Sequence, residues 1–182
     1  MDSRIDAIAR DLLEFASGQY KAEYQLGNNT TIPPFITLMR FDEGQEKPSA
    51  IVLPEEICKM FFNAEMRGGK DVLMKMVQNA LTEDIPWPDN EKRPADFAMI
   101  LVEAYMRESS EVEADTFKEG DLAEDDRSEE AITLQVHSRE GTSMYVQKIA
   151  IGELKGEMFV LGANGEGKSI SGRMTVPPIN QN

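Results

Sequence analysis

The run from Phe97 to Met106 is apolar at nearly every position, rich in β-favouring side chains and broken by Glu103. Its composition is that of a long central strand, and a chain holding one must supply a sheet around it. Further strand candidates follow at Ala131–Ser138, Ser143–Ile151, Met158–Leu161 and Ile170–Val176, the last four separated by glycine-bearing turns. Upstream, Phe35–Phe41 and Ala50–Leu53 are joined by turn residues (Asp42-Glu43-Gly44-Gln45, Lys47-Pro48-Ser49) and read as a hairpin.

Helical spacing lies mostly in the first half. Ser3 and Asp6 form a capping-box-like start, Ile5, Ile8, Ala9, Leu12, Phe15 and Ala16 recur at helical spacing, and Gly18 offers a stop, so a helix is predicted over 3–17. Pro54 with Glu55 and Glu56 suits a first helical turn, and Ile57, Met60, Phe61 and Ala64 keep the period until Gly68-Gly69. A further helix over 70–82 carries Leu73, Met76, Val77 and Ala80 on one stripe. Trp87, between Pro86 and Pro88, belongs to a loop. Helices early and an antiparallel meander late give an α+β fold: N-terminal helices on one face of a mainly antiparallel sheet formed largely by the C-terminal half. The 182 residues suit one domain, 1–182.

One register can be argued from alternation. Ile132, Leu134 and Val136 share a face, and they match Met144 and Val146 if residue i pairs with 280 − i. That leaves a three-residue loop, Arg139-Glu140-Gly141, and places Thr133, Gln135, His137, Ser143, Tyr145 and Gln147 on an opposite, polar face.

Charge narrows the partners. The formal net charge is −14, and residues 108–130 hold 11 acids against two bases, so −9 of it lies in an acidic, solvated loop. Nucleic acid and anionic membrane surfaces are poor partners for such a chain, because both are bound through Lys and Arg. The first residues lack a secretion-signal pattern, and a cytoplasmic protein is the natural reading. With one Cys and one His, neither an internal disulfide nor a four-ligand Cys/His zinc site can form, and no cofactor is called for.

Several motifs look like chemistry. Gly162-Ala163-Asn164-Gly165-Glu166-Gly167-Lys168-Ser169 resembles the phosphate loop of P-loop NTPases over those eight residues. That loop needs a following helix to meet the phosphates, whereas Ile170 to Val176 is strand-like and Pro177-Pro178 stops it, so a hairpin turn is expected instead. An EF-hand alignment with Gly120 at its sixth position puts Phe117 where an oxygen ligand is required. Glu103, if buried, could be a base of raised pKa, though an ion-paired carboxylate is the commoner outcome. Cys58 reads as an inert core thiol. Hydrolase elbows and zinc-protease signatures are absent.

The function these features support is a non-enzymatic acidic accessory protein contacting a protein partner with a basic surface, for instance an inhibitor of a nucleic-acid-binding factor. Its candidate contact residues are Trp87, Glu119, Asp121, Glu124, Asp125 and Asp126. Trp87 is an interface anchor only if its loop presents the ring, and folding back to cap the helix–sheet core is the commoner use of such a ring. The alternative is a small-molecule site or small enzyme on the polar sheet face, using Gln135, His137 and Tyr145. A structural subunit is a second alternative, and a homo-oligomer stays open. The stretch Asp126-Arg127-Ser128-Glu129-Glu130-Ala131 is similar to segments of short bacterial and phage proteins, and implies no activity.

Overall fold

A computed structural model describes residues 3–28, 31–45, 47–63, 68–107, 125–150 and 152–162. Three helices, α1 (Ser3–Gln25), α2 (Glu55–Phe62) and α3 (Gly69–Thr82), accompany eight strands: β1 (Phe35–Arg40), β2 (Ser49–Val52), β3 (Ile85–Pro86), β4 (Lys92–Arg93), β5 (Phe97–Met106), β6 (Glu129–Ser138), β7 (Gly141–Ala150) and β8 (Glu153–Gly162). Six form one antiparallel sheet in the order β2-β1-β5-β6-β7-β8, and β3 with β4 makes a small second sheet. The fold is α+β, with the N-terminal helices packed against the sheet.

The helices divide between the two faces of that sheet. On one face α1 buries Ile5, Ala9, Leu13 and Tyr20 against Met99, Leu101, Ile132, Leu134 and Tyr145. On the other, α2 and α3 bury Cys58, Leu73, Val77 and Leu81 against Ile36, Leu38, Ala98, Ile100 and Val102. Successive residues of β5 therefore enter different cores, which is why the run reads as continuously apolar rather than alternating.

Gly18 does not stop α1. The helix runs seven residues further, to Gln25, because Tyr20 extends the buried stripe onto the sheet. A later glycine ends it: Gly27 has φ 74°, its N–H donates to Tyr24 O (2.9 Å), and Asn28 N–H donates to Glu23 O (3.2 Å). That pair of bonds is a Schellman cap, which needs the left-handed conformation glycine adopts without strain. Asp6 makes no capping box, since its carboxylate accepts from Tyr145 and Arg10.

The β6–β7 register differs by one residue from the 280 − i alignment. Leu134 pairs with Tyr145, Val136 with Ser143 and Ser138 with Gly141, leaving a two-residue turn, Arg139-Glu140. A one-residue slip turns every side chain of the partner strand over. The alignment assumed that the apolar residues of β7 must share the face of Ile132, Leu134 and Val136. With helices on both faces, Val146 is buried on the side opposite Tyr145 and needs no such match.

Residues 108–124 and 163–182, which hold most of the acidic segment, most of the phosphate-loop-like motif and the Ile170–Val176 candidate, lie outside the described residues. The strand leading into that motif, β8, pairs antiparallel with β7, unlike the parallel strand a phosphate loop follows.

Candidate functional site

The end of β1 organises the polar part of the α2–α3 side. Arg40 is buried, with its guanidinium 4.8 Å from the Trp87 ring and paired with Asp89. Its Nε lies 3.1 Å from Asp42 and its Nη1 3.4 Å from Glu91, at ion-pair distance without aligned hydrogen bonds. Arg93 adds a contact of 3.1 Å to Asp42 and donates to Phe41 O at 2.8 Å. The Trp87 indole N–H donates to Arg93 O (2.9 Å), and the Trp87 amide donates to Glu91 O (2.9 Å). Together these bonds strap β3 and β4 to the sheet and fix where Ile85 and Pro86 stand.

The other wall is α3. Its last-turn carbonyls find donors from outside the helix: Ala95 N–H reaches Ala80 O (2.7 Å) and Arg139 Nε reaches Leu81 O (2.8 Å). Gly69 sets the opposite end, because a Cβ there would stand 2.7 Å from Phe61 O, so only glycine lets α2 approach so closely.

Between these walls lies a groove of about 520 Å³. Leu38 and Ile51 of the sheet form one side, Val72, Met76 and Ala80 of α3 another, and Ile85 with Pro86 the end, while Lys75 and Asn79 bring the polar atoms. It is open rather than enclosed, so it would leave much of a small molecule in water, whereas small-molecule sites bury most of the ligand. Val72 is 55% exposed.

Among the described residues, β2 is an outer strand of the sheet. Leu53 N–H donates to Ile36 O (3.0 Å), and bonding direction alternates along an antiparallel strand. Ile51 and Ser49 therefore face β1, and the N–H and C=O groups of Ala50 and Val52 point outward. Both residues are exposed, and among the described residues nothing bonds to those outward groups. The strand Ser49-Ala50-Ile51-Val52 carries no charge, whereas β8, at the other end of the sheet among the described residues, carries Glu153, Lys155 and Glu157. Charges are a common protection for such edges, and β2 lacks them.

The residues expected to carry function fall elsewhere. Trp87 is 3% exposed: its ring folds back into the α2–α3 core and closes the Arg40 strap, the second of its two readings, and is not an exposed anchor. Glu119, Asp121 and Glu124 lie outside the described residues. Asp125 is engaged locally: bonds from the Arg127 side chain and amide, helped by Arg107, hold its carboxyl down at about 2. Asp126 is exposed.

Gln135, His137 and Tyr145 do not form one site. Gln135 and His137 lie on the face opposite Leu134, whereas Tyr145 pairs with Leu134 beneath α1, where its hydroxyl donates to Asp6 Oδ1 (2.9 Å). His137 sits inside the protein rather than on a polar surface. Its Nδ1 is 2.9 Å from Thr142 Oγ1, and its Nε2, like Gln135 Oε1, is buried without a hydrogen-bond partner among the described residues. Burial pushes the imidazole down to about 4.

Glu103 is exposed, and its Oε1 accepts the Ile32 N–H at 2.6 Å. Burial of part of the group pushes the carboxyl up, the Ile32 bond opposes that, and Glu130 adds to it. The Cys58 thiol is buried, donates to Leu53 O at 3.6 Å and is pushed up by burial. Among the described residues no three Asp, Glu, His or Cys side chains are grouped to hold a metal ion, and no helix is long and apolar enough to cross a membrane. No known protein family, curated protein or solved structure matches the chain.

Sequence reasoning missed the groove. Its signals were the uncharged strand between Pro48 and Pro54, and Val72 lying off the apolar stripe of α3. Two methionines stand on this side of the molecule: Met76 lines the groove and Met60 is exposed on α2.

Proposed function

We propose that this chain is a non-enzymatic binding protein that docks a protein partner in the groove between α3 and β2, and that the partner presents basic residues. The observation that carries the reading is the open apolar groove beside an uncharged strand whose outward edge bonds to nothing among the described residues. Apolar surface gathered in one place and rimmed by polar side chains is the usual mark of a protein contact. Charge supplies the second half. Glu55 and Glu56 follow β2, Glu83 and Asp84 precede Ile85, and all four are exposed on a chain of net charge −14. Complementary charge raises the rate of encounter and excludes acidic competitors more than it adds affinity.

The test is photo-crosslinking in cells that make the protein. A photoreactive phenylalanine replaces Val72 in the groove, or Phe15 on the far helix as a control, since both side chains are solvent-exposed. One partner should crosslink from position 72 and not from 15, with a yield that falls as salt is raised. Equal yields from both positions, or none from 72, would contradict the proposal.

A further inference from the structure

We infer that the groove takes its partner as an added β-strand: a short extended segment lies along β2, sends alternate apolar side chains into the groove, and is flanked by Lys or Arg. The inference rests on the docking reading above and names the form of the partner.

Three observations support it. The outward N–H and C=O groups of Ala50 and Val52 stand two residues apart, the repeat that the bonding edge of a neighbouring strand offers. A strand added there would run about 4.8 Å from β2. The side chains it directs to the Ile51 side would then lie beside Ile51, over the groove that Val72 and Met76 line. Strand addition takes affinity from main-chain bonds and specificity from pockets for alternate side chains, and both parts are present here.

The flanking prolines limit the segment. Pro48 and Pro54 bound β2, so only the stretch facing Ser49 to Val52 can pair. A second copy of this chain is a poor occupant, since each copy carries −14 and the acidic residues after β2 would meet their own counterparts.

The experiment selects nine-residue peptides from a randomised library against the full chain, then measures their affinity for three proteins: the parent, Ala50→Pro and Val72→Glu. Proline at 50 removes an N–H that points away from β1, so the β1–β2 ladder keeps its bonds, and thermal unfolding checks that the variant folds. Selected peptides should be basic with apolar residues at alternate positions. Ala50→Pro should weaken them about tenfold or more, the scale of a lost hydrogen bond. As a second measurement, N-methylation of alternate peptide amides should weaken binding to the parent protein, while N-methylation of the intervening amides leaves it unchanged.

Peptides that lose affinity with Val72→Glu but ignore both Ala50→Pro and N-methylation overturn strand addition and leave the groove as a docking site. Peptides indifferent to both substitutions, or a library that yields none, overturn both readings. A parent protein that is a dimer in solution and becomes a monomer with Ala50→Pro overturns the partner segment in favour of a second copy.

Discussion

The hydroxyl of Tyr145, in the middle of β7, donates a 2.9 Å hydrogen bond to Asp6 in the first turn of α1, joining residues 139 positions apart in the chain. Arg10 holds the other carboxylate oxygen through Nε at 3.0 Å and stacks its guanidinium 5.8 Å from the Tyr145 ring. This chain of three polar side chains fixes the height of α1 over the sheet. It also explains why a tyrosine occupies a fully buried position on that face.

Tyr145→Phe should therefore destabilise the protein by about 1 kcal/mol at neutral pH, since the ring still fills its space and only the hydrogen bond is lost. The Arg10 bond first, and the Tyr145 bond after it, hold the Asp6 carboxyl below its ordinary value, with burial opposing both. A lowered carboxylate contributes stability above its unfolded-state value, and that contribution fades as pH falls through the folded-state value. The gap between parent and Tyr145→Phe should thus narrow below pH 4. Urea unfolding of both proteins across that range checks it, and a gap that widens in acid contradicts it.

His137 sets a second pH window, at higher pH and with the same sign. Its folded-state value of about 4 lies below the unfolded 6.5 because burial disfavours the charged ring. Above 6.5 the ring is neutral in both states. As pH falls from 6.5 toward 4 the unfolded chain takes up a proton that the folded chain refuses, so stability drops, by roughly 3 kcal/mol over the window. His137→Phe should flatten that part of the profile. An unchanged slope between pH 6 and 4.5 in the variant would show that the ring is not held neutral.

Gly69→Ala should destabilise the chain by about 1–2 kcal/mol although alanine favours helices. The added methyl would meet the Phe61 carbonyl oxygen at 2.7 Å, and backbone cannot give way as a flexible side chain does. Denaturant midpoints measure the difference. A variant more stable than the parent would mean that α2 and α3 are not packed so closely.

Trp87 is the chain's single tryptophan, and it reports on the β3–β4 strap. Its buried ring should be poorly quenched by acrylamide in the parent, and Arg40→Ala should make it more accessible by removing the guanidinium beside it. Free quenching in the parent would restore the exposed anchor that its setting between prolines suggested.

Much of this architecture could be read before the structure, and the failures have a common origin. β5 was legible from Phe97 to Met106 because a long apolar run with few alternatives has one use. The β1–β2 hairpin and α3 were legible from turn residues and helical spacing. The misplacements all concern tertiary context. Gly18 resembles a stop until Tyr20 is known to have a surface to cover. Met144 and Val146 appear to require the face of Ile132 until Val146 is seen buried on the side opposite Tyr145. His137 looked exposed, and Trp87 was left between a surface anchor and a core cap, because nothing in the one-dimensional pattern brings Thr142 or Arg40 beside them. The groove was hidden for the same reason, since α3, β2 and β3 meet only in space.

Amide hydrogen exchange, read residue by residue with and without a selected peptide, tests the docking account most directly. Ile51 and Leu53 face β1 and should be protected in both samples, while Ala50 and Val52 should exchange rapidly in the free chain and become protected when the peptide is added. Protection of Ala50 and Val52 before any peptide is present, or its absence at saturating peptide, would contradict the account.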